Sequence, residues 1–502
     1  MPNKKAFIFI TTIVILYLNS SMQSNPIKEV FIGKPTAVKL EALGAELDPH
    51  FFSQNLTRND GSKASDWDIV RKRVKAMQLQ KLRVMVQPQW YEPINDNEDP
   101  NKTDFSKFTF ESAEMQSLYK VLDLAEELKM EVNLVLWGCP VYVSLLDPAY
   151  KDVITTFMAD PSKKDVWITG PTDYEEWAES FSALVKHLQQ VKKYKYIKEI
   201  TPMNEPDGGP LLNEVEYIKM AKILDSRFKK DQLREHIKFN LSDNTDTRTF
   251  YLEACVNNLA NEADVFNSHT YIFGYTTSNK TIFDWEQNNV RLAGIAGKKH
   301  LVGEFGSNQT VGSSRQKDID LFERGVLMTR QVLNFLNAGA AGVSYWSLID
   351  QYYGKDADYQ QMQQLGMWKY IKEAYKTDTT YHKIKSDYEV RPQYYAYSLL
   401  TRFIRPGSTI HPIELGEDLA IGSAFLNKDN KWIYVFANNG SKNLDLKINN
   451  PKLNGNFKIF KYEKDSLPKD DNMIASNEKQ RTIAGKLNIS LKANSMILCQ
   501  QL

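Results

Sequence analysis

The segment IKEITPMNEP, residues 197–206, is an apolar run that closes on Asn204, Glu205 and Pro206. Residues 197–203 predict a short buried strand, so Glu205 lies just beyond its carboxyl end. The segment LVGEFG, residues 301–306, repeats this arrangement and places Glu304 at the end of another predicted strand. In a closed barrel of parallel strands, all carboxyl ends meet at one rim. We therefore expect these two glutamates, distant in sequence, to face each other.

Similar apolar runs recur along residues 37–404 and alternate with longer helical patterns. In one such pattern Met115, Leu118, Leu122 and Ala125 fall on a single helical face. The predicted strands are Val38–Ala45, Leu82–Val86, Glu131–Trp137, Ile197–Met203, Ile237–Leu241, Val265–Thr270, Leu301–Glu304 and Gly342–Ser347. Eight alternating units predict an α/β fold, a (β/α)8 TIM barrel that spans residues 37–404.

The pattern changes after Arg405-Pro406-Gly407, where short strand-like segments are separated by Asn, Gly, Lys and Asp. These segments are Ala420–Leu426, Trp432–Ala437, Phe457–Tyr462 and Leu487–Leu498. They predict a small C-terminal antiparallel β-sandwich domain of residues 405–502. Residues 25–36 also look extended, and we expect them to add to this side domain.

The N-terminus has the pattern of an export signal. Lys4 and Lys5 precede the apolar run Ala6–Leu18, and small or polar residues follow. This order predicts a signal peptide of residues 1–23 and a secreted, periplasmic or cell-surface protein. The run is short for a membrane span, although an uncleaved anchor is the alternative interpretation. No other stretch is apolar enough to predict an integral membrane span.

Composition excludes several functional classes. The 502 residues carry 63 Lys and Arg against 62 Asp and Glu, so the net charge of +1 does not indicate a nucleic-acid binder. The three cysteines form no Cys-x-x-Cys motif, and the seven histidines show no paired helical spacing. We therefore expect no metal and no cofactor. Composition does not address the oligomeric state.

Two facing carboxylates are what cleavage of a glycosidic bond requires. One carboxyl group must donate a proton to the leaving oxygen, while the other must be ionised to attack the anomeric carbon or activate water. Their surroundings must therefore separate their two pKa values. The predicted partner is a carbohydrate substrate, for which aromatic residues, 12% of the chain, offer stacking surfaces.

On these motifs the sequence resembles the retaining glycoside hydrolases of the large (β/α)8 clan that includes families 5, 30 and 39. The resemblance implies that Glu205, in Asn-Glu-Pro after the fourth strand, is the acid/base and that Glu304 is the nucleophile. It also matches further clan positions that contact the nucleophile or the sugar. These are Arg83, Asn204, His269, Tyr271 and Trp346. We add Trp137, at the end of the third strand, as a candidate stacking surface. The resemblance reaches the clan and leaves the exact family open.

Each of these residues also has a structural interpretation. Arg83 could neutralise a buried carboxylate, His269 could be a hydrogen-bonded core histidine, and the aromatic residues could belong to the core. Three functional alternatives also remain open. They are a transglycosylase on the same site, a non-catalytic carbohydrate-binding barrel, and a metal-dependent isomerase or lyase.

Overall fold

The protein is described by a computed structural model. It covers residues 27–49, 66–140, 158–160, 168–245, 249–308, 316–350, 364–369, 389–451, 453–476 and 478–502. The predicted signal peptide, residues 1–23, lies outside the described residues.

The described residues form strands and helices throughout. The strands are β1 (Lys28–Phe31), β2 (Ala42–Glu46), β3 (Lys81–Val86), β4 (Glu131–Leu136), β5 (Cys139–Pro140), β6 (Ile168–Thr169), β7 (Ile197–Thr201), β8 (Lys238–Asn244), β9 (Val265–Ile272), β10 (Lys299–Ser307), β11 (Gly342–Tyr345), β12 (Thr409–Glu417), β13 (Ala420–Leu426), β14 (Trp432–Asn438), β15 (Leu444–Asn449), β16 (Asn456–Tyr462), β17 (Glu478–Arg481), β18 (Lys486–Leu491) and β19 (Ser495–Gln501). The α-helices are α1 (Asp66–Met77), α2 (Ala113–Leu128), α3 (Tyr174–Lys186), α4 (Glu214–Lys230), α5 (Thr249–Asn258), α6 (Asn279–Ile295), α7 (Phe322–Ala338) and α8 (Pro392–Phe403).

Eight parallel strands close into a barrel in the order β10, β11, β2, β3, β4, β7, β8, β9. Each corresponds to one of the eight predicted strands, so the predicted TIM barrel is confirmed. The first strand is shorter than predicted and begins at Ala42. The preceding residues lie against the side domain instead, where Lys39 pairs with Thr409 and the Leu40 amide donates to the Ser408 carbonyl.

The helices pack on the barrel through the apolar faces that their spacing predicts. In α1, Val70, Val74 and Met77 are completely buried. In α3, Asp173 caps the first turn by accepting hydrogen bonds from the amides of Glu175 and Glu176. The cap satisfies backbone amides of the first turn that have no partner within the helix.

The side domain is a sandwich of two sheets, which confirms the predicted β-sandwich. One sheet is antiparallel, in the order β12, β13, β14, β19, β16, β17. In the other sheet β15 pairs antiparallel with β18 and parallel with β1. Apolar side chains from both sheets form a separate core between them. The domain boundaries themselves stay a prediction.

Two details of the predicted side domain were wrong. The predicted strand Leu487–Leu498 is two strands, β18 and β19, which belong to different sheets. The chain turns between them, where Asn494 adopts a left-handed φ of 46°. Strands β12 and β15 were missed, because charged residues interrupt their apolar positions. In β15 the buried Leu446 and Ile448 alternate with more exposed residues, which is the pattern of a half-buried strand.

Helix α7 joins the two domains and is buried along most of its length. Its Arg330 donates hydrogen bonds to the carbonyls of Tyr275 and Thr277 on the barrel side, and to Asn439 in the side domain. Tyr462 of β16 donates a hydrogen bond of 2.8 Å to the Phe322 carbonyl at the start of the same helix. These contacts fix the side domain against the barrel.

Among the described helices, none has the combination of length and apolarity needed to cross a bilayer. The thiols of Cys139, Cys255 and Cys499 are buried and not joined in disulfides. Burial raises the pKa of each thiol above its usual value, which disfavours the reactive thiolate.

Two helical glycines provide a test of the domain contact. A Cβ on Gly325 of α7 would overlap the Tyr462 ring and hydroxyl, whereas a Cβ on Gly294 of α6 would meet nothing within 4 Å. We predict that Gly325→Ala lowers the free energy of unfolding by about 1–3 kcal/mol through overpacking. Gly294→Ala should raise it by about 0.4–1 kcal/mol, because alanine restricts the unfolded chain. Urea-induced unfolding of both variants measures this, and changes of the same sign would contradict the domain contact.

Candidate active site

Arg83 of β3 is the centre of a buried cluster at the carboxyl ends of the strands. Its Nη1 atom lies 2.5 Å from Glu304 Oε1 and 3.1 Å from Glu46 Oε2. Its Nη2 atom donates to Asn204 Oδ1 at 2.7 Å and to Asp243 Oδ2 at 2.8 Å. The side chain is only 1% exposed. One guanidinium therefore holds together side chains from four other strand ends.

Glu304 of β10 has both carboxylate oxygens oriented by donors. Arg83 contacts Oε1, and the Tyr271 hydroxyl of β9 donates to Oε2 at 2.7 Å. The pairing of β10 with β9 shifts register between Val302 and Glu304. Gly303 lies at this shift, and a Cβ there would overlap the Asn267 side chain. Glycine thus allows the strand to turn Glu304 toward the cluster.

Glu205 follows β7 in a turn. Its φ of 40° is left-handed, which is uncommon for a residue with a side chain and is typical of functional sites. The turn is closed by a 2.8 Å hydrogen bond from the Gly208 amide to the Glu205 carbonyl. The Glu205 side chain is 31% exposed, against 5% for Glu304. Of the two carboxylates, Glu205 is therefore the one that reaches solvent.

His269 of β9 connects the acidic groups. Its Nδ1 atom lies 2.8 Å from Glu205 Oε1 and 3.3 Å from Glu304 Oε2, while its Nε2 atom lies 3.2 Å from Asp243 Oδ1. Burial lowers the pKa of His269, but the carboxylates Glu304 and Asp243 raise it by more, so it is well above its usual value. The surroundings therefore favour the positively charged form of the ring, which lies between three carboxyl groups.

The two predicted catalytic glutamates come together at this point. Glu205, His269 and Glu304 each contribute one carboxylate oxygen or ring nitrogen, and these three atoms all lie within 4.8 Å of one another. This trio could in principle ligate a metal ion. However, both oxygens of Glu304 already have donors, and the adjacent Arg83 supplies a fixed positive charge. The arrangement suits a pair of reacting carboxylates.

The carboxyl groups around Arg83 differ in how their surroundings shift the pKa. Burial raises the pKa of Glu46 well above its usual value, which favours its protonated form. Burial also raises that of Asp243, but Arg83 and His269 lower it below the usual range. For Glu304, burial raises the pKa, whereas the positive charges of His269 and Arg83 lower it. The neighbouring Glu205 raises it further, and the net shift is upward. Burial is the largest of these effects, because Glu304 is almost completely removed from water.

The predicted tryptophans lie at the barrel rim with little exposed area. The Trp346 amide donates to the Phe305 carbonyl, next to Glu304, and the side chain is 8% exposed. The Trp137 amide donates to the Val86 carbonyl, and its side chain is 6% exposed. These positions place both backbones beside the cluster, while contact of either ring with a sugar stays a prediction.

Sequence reasoning missed Glu46 and Asp243. Glu46 lies one residue beyond the predicted end of the first strand, and Asp243 lies two residues beyond the predicted end of the fifth. Residues 242 and 243 both have left-handed φ angles, where β8 shifts its register against β9. A search for carboxylates within two residues of every predicted strand end would have found both side chains.

A scan against protein-family models found no match, and a search of curated proteins found no similar sequence. Solved structures are similar in fold. A glycoside hydrolase family 30 subfamily 8 xylanase from Clostridium acetobutylicum has a TM-score of 0.63 at 16% identity, with 94% of this chain and 100% of that chain covered. A glucosidase from Croceicoccus marinus has a TM-score of 0.61 at 10% identity, with 95% and 99% covered.

A family 51 arabinofuranosidase from Xanthomonas axonopodis pv. citri has a TM-score of 0.60 at 10% identity, with 94% of this chain and 100% of that chain covered. The predicted likeness to (β/α)8 glycoside hydrolases is therefore confirmed at the level of the fold. At such low identity the likeness shows the fold alone, so the function must be argued from the site.

Glu46 and Asp243 provide a matched test of the charges around Arg83. We predict that Glu46→Gln changes the free energy of unfolding by less than about 1 kcal/mol, because glutamine resembles the protonated carboxyl group. Asp243→Asn should lower it by about 3–5 kcal/mol, because it removes a buried charge between Arg83 and His269. Urea-induced unfolding at neutral pH compares the variants, and equal losses would show that both carboxyl groups have the same charge.

Proposed function

We propose that this chain is an exported glycoside hydrolase that cleaves a β-glycosidic bond in an oligo- or polysaccharide with retention of anomeric configuration. Export rests on the predicted signal peptide of residues 1–23. The chemistry rests on Glu205 and Glu304, which converge at the rim of a barrel whose fold is shared with solved glycoside hydrolases. In barrels of this kind the chemistry takes place at the carboxyl ends of the strands.

The spacing of the two glutamates is the observation that carries the proposal. Retaining glycosidases hold their carboxyl groups about 5–5.5 Å apart, whereas inverting enzymes need about 6.5–9.5 Å to place a water molecule between them. Here one oxygen of Glu205 and one oxygen of Glu304 approach each other within 4.8 Å, and both groups contact the same atom, His269 Nδ1, at 2.8 Å and 3.3 Å. This close approach favours the shorter spacing, and with it direct attack by a carboxylate on the sugar.

The surroundings of the two carboxyl groups support different roles. Glu304 is deeply buried and accepts from Arg83 and Tyr271, and such donors stabilise a carboxylate and aim it as a nucleophile. Glu205 is more exposed and can exchange protons with a leaving group or with water. We therefore assign Glu304 as the nucleophile and Glu205 as the general acid and base.

The contacts of the two groups also fit this division of roles. Burial and the neighbouring Glu205 raise the pKa of Glu304, whereas His269 and Arg83 lower it. The hydrogen bonds from Arg83 and Tyr271 favour the ionised form of Glu304, in which it would attack the sugar.

The proposed reaction has two steps. In the first, a Glu304 oxygen forms a bond to the anomeric carbon while the bond to the leaving oxygen breaks, and Glu205 gives its proton to that oxygen. In the second, Glu205 takes a proton from water, whose oxygen attacks the anomeric carbon and displaces Glu304. Both glutamates return to their starting states. Asn204, held by Arg83, is placed to bond a sugar hydroxyl more strongly in the transition state.

Substitutions of the two glutamates separate their roles. We expect Glu304→Gln to abolish turnover of every glycoside, because no covalent intermediate can form. Glu205→Ala should reduce turnover by roughly 10²–10⁴-fold on substrates with poor leaving groups, but little on aryl glycosides with good ones, because these need no acid in the first step. A panel of aryl glycosides and polysaccharides, assayed with both variants, measures the difference.

Glu199→Gln provides a control within the same barrel. Glu199 pairs with Lys81 inside the barrel and takes no part in the proposed reaction, so its loss should affect stability more than leaving-group dependence. Full activity of Glu304→Gln or Glu205→Ala on a natural glycan would refute the assignment.

Retention itself can be observed directly. We expect the first product detected by NMR to have the same anomeric configuration as the substrate, because two displacements at the same carbon restore it. A first product of opposite configuration would exclude the nucleophilic role of Glu304. Sugar–sugar products at high substrate concentration would identify the alternative transglycosylase, which uses the same residues.

A metal-dependent reaction is the other alternative, since the trio of Glu205, His269 and Glu304 contains possible ligands. The proposed mechanism needs no metal, because side chains supply both the nucleophile and the proton. Turnover at 25 °C should therefore persist in EDTA at its full rate. Glycan binding without bond cleavage by the wild-type chain would instead indicate the non-catalytic alternative.

A further inference from the structure

We propose that the chain binds a calcium ion outside the active site, at a buried position between the segment after β3 and helix α3. The site is formed by three carboxyl groups, which we call the acidic cluster: Glu92, Asp96 and Glu179. One carboxylate oxygen from each lies within 4.8 Å of those from the other two. The proposal does not depend on the proposed glycosidase activity, because none of these residues contacts Glu205 or Glu304 among the described interactions.

The acidic cluster is removed from water. Glu92 is 1% exposed, Asp96 is 9% exposed and Glu179 is completely buried. Carboxylates in such positions are normally paired with a cation, because the loss of hydration is costly. Surface acidic groups that simply face solvent do not explain this arrangement.

Four of the six carboxylate oxygens of the cluster have no hydrogen-bond donor among the described residues, whereas Glu92 Oε1 accepts from the Asp96 amide and Asp96 Oδ2 accepts from the Asp104 amide. Within the described part of the chain, neither oxygen of Glu179 accepts a hydrogen bond, and the same is true of Glu92 Oε2 and Asp96 Oδ1. Almost all buried polar atoms in folded proteins have such a partner. Four unsatisfied carboxylate oxygens in one small volume therefore indicate a missing electropositive ligand.

Among the described ion pairs, Arg227 of α4 supplies the cation nearest to the cluster, but it donates no hydrogen bond to the cluster's carboxylates. Its Nη2 atom lies 3.7 Å from Glu179 Oε1, beyond hydrogen-bonding distance. The same guanidinium donates to Asp231, to Thr103 and to the Pro100 carbonyl. One arginine with its donors directed elsewhere cannot balance three carboxylates.

The ligand chemistry favours calcium over other cations. All available donors are oxygens, and Ca²⁺ binds six to eight oxygens at about 2.3–2.6 Å. Two ligands of such an ion lie at most about 5 Å apart, which matches the spacing of the cluster. Ser180 and Thr103 bring hydroxyl groups next to Glu92 and Glu179, and water can complete the shell. Zn²⁺ would be expected to recruit His or Cys, which the cluster does not contain.

The competing explanation is that protons occupy the cluster. Burial, together with the neighbouring Glu179, raises the pKa of Glu92 to about 8, although Ser180 opposes the shift. Carboxylic acids that share protons would then need no metal. The two explanations differ in one respect, since only a metal site makes the stability of the protein depend on the calcium concentration.

A bound ion would join separate parts of the fold. Glu92 and Asp96 lie on the segment that follows β3, the strand that carries Arg83, whereas Glu179 lies in α3. The ion would therefore hold this rim segment against α3 and stabilise it without taking part in the reaction.

The experiment compares Glu179→Gln with Glu175→Gln, which makes the same change at an exposed position on the same helix. Each full-length protein is stripped with EDTA, and its melting temperature is measured with and without CaCl₂. At a calcium concentration about 100-fold above Kd, we expect wild type and Glu175→Gln to gain roughly 2–3 °C and Glu179→Gln to gain none. Tb³⁺ bound in place of calcium should luminesce through energy transfer from Tyr91. Added calcium should displace the Tb³⁺ and remove this luminescence.

Equal gains for Glu179→Gln and Glu175→Gln would overturn the site, and no gain in the wild type would overturn calcium binding. An equal gain with MgCl₂ would overturn the assignment of calcium. If Glu179→Gln does not fold, Asp96→Asn takes its place under the same criteria. A stripped Glu179→Gln that is more stable than the wild type, with no response of the wild type to calcium, would establish shared protons instead.

Discussion

The buried guanidinium of Arg83 is the constraint on which the rest of the site depends. It cannot lose its proton, so a position that is 1% exposed is tolerable only if anions and other acceptors surround it. Its two terminal nitrogens contact Glu304, Glu46, Asn204 and Asp243, which come from four different strand ends. These side chains reach one planar group only when the barrel closes. Barrel closure and assembly of the site are therefore the same physical event.

More carboxyl groups surround Arg83 than one guanidinium can neutralise, and the protein resolves this in two ways. Burial raises the pKa of Glu46 and favours its protonated form, while the carboxylates Glu304 and Asp243 raise the pKa of His269 and favour its charged form. Burial and the neighbouring Glu205 raise the pKa of Glu304, which Arg83 and His269 lower. The charge balance around Arg83 therefore acts directly on the two glutamates that we propose to react.

The acidic cluster of Glu92, Asp96 and Glu179 presents the same physical problem without the same solution. Arg83 contacts its carboxylates directly, whereas Arg227 stops 3.7 Å short of Glu179 and donates to other groups. Two buried acidic sites in one chain therefore differ in their counter-charge. The site around Arg83 has a permanent counter-charge, because the guanidinium belongs to a strand of the barrel. The acidic cluster, by our proposal, takes its counter-charge from an ion in solution.

The sequence by itself determined the eight strand–helix units, because alternation of apolar runs with helical periodicity is a local property of the chain. It also placed Glu205 and Glu304 at the barrel rim, since each follows an apolar run that predicts a barrel strand. Only the tertiary structure decided that Glu46 and Asp243 join them, and that Leu487–Leu498 divides between two sheets. The reason is that periodicity records which side chains are buried, whereas the partners they meet depend on strand pairing between distant segments.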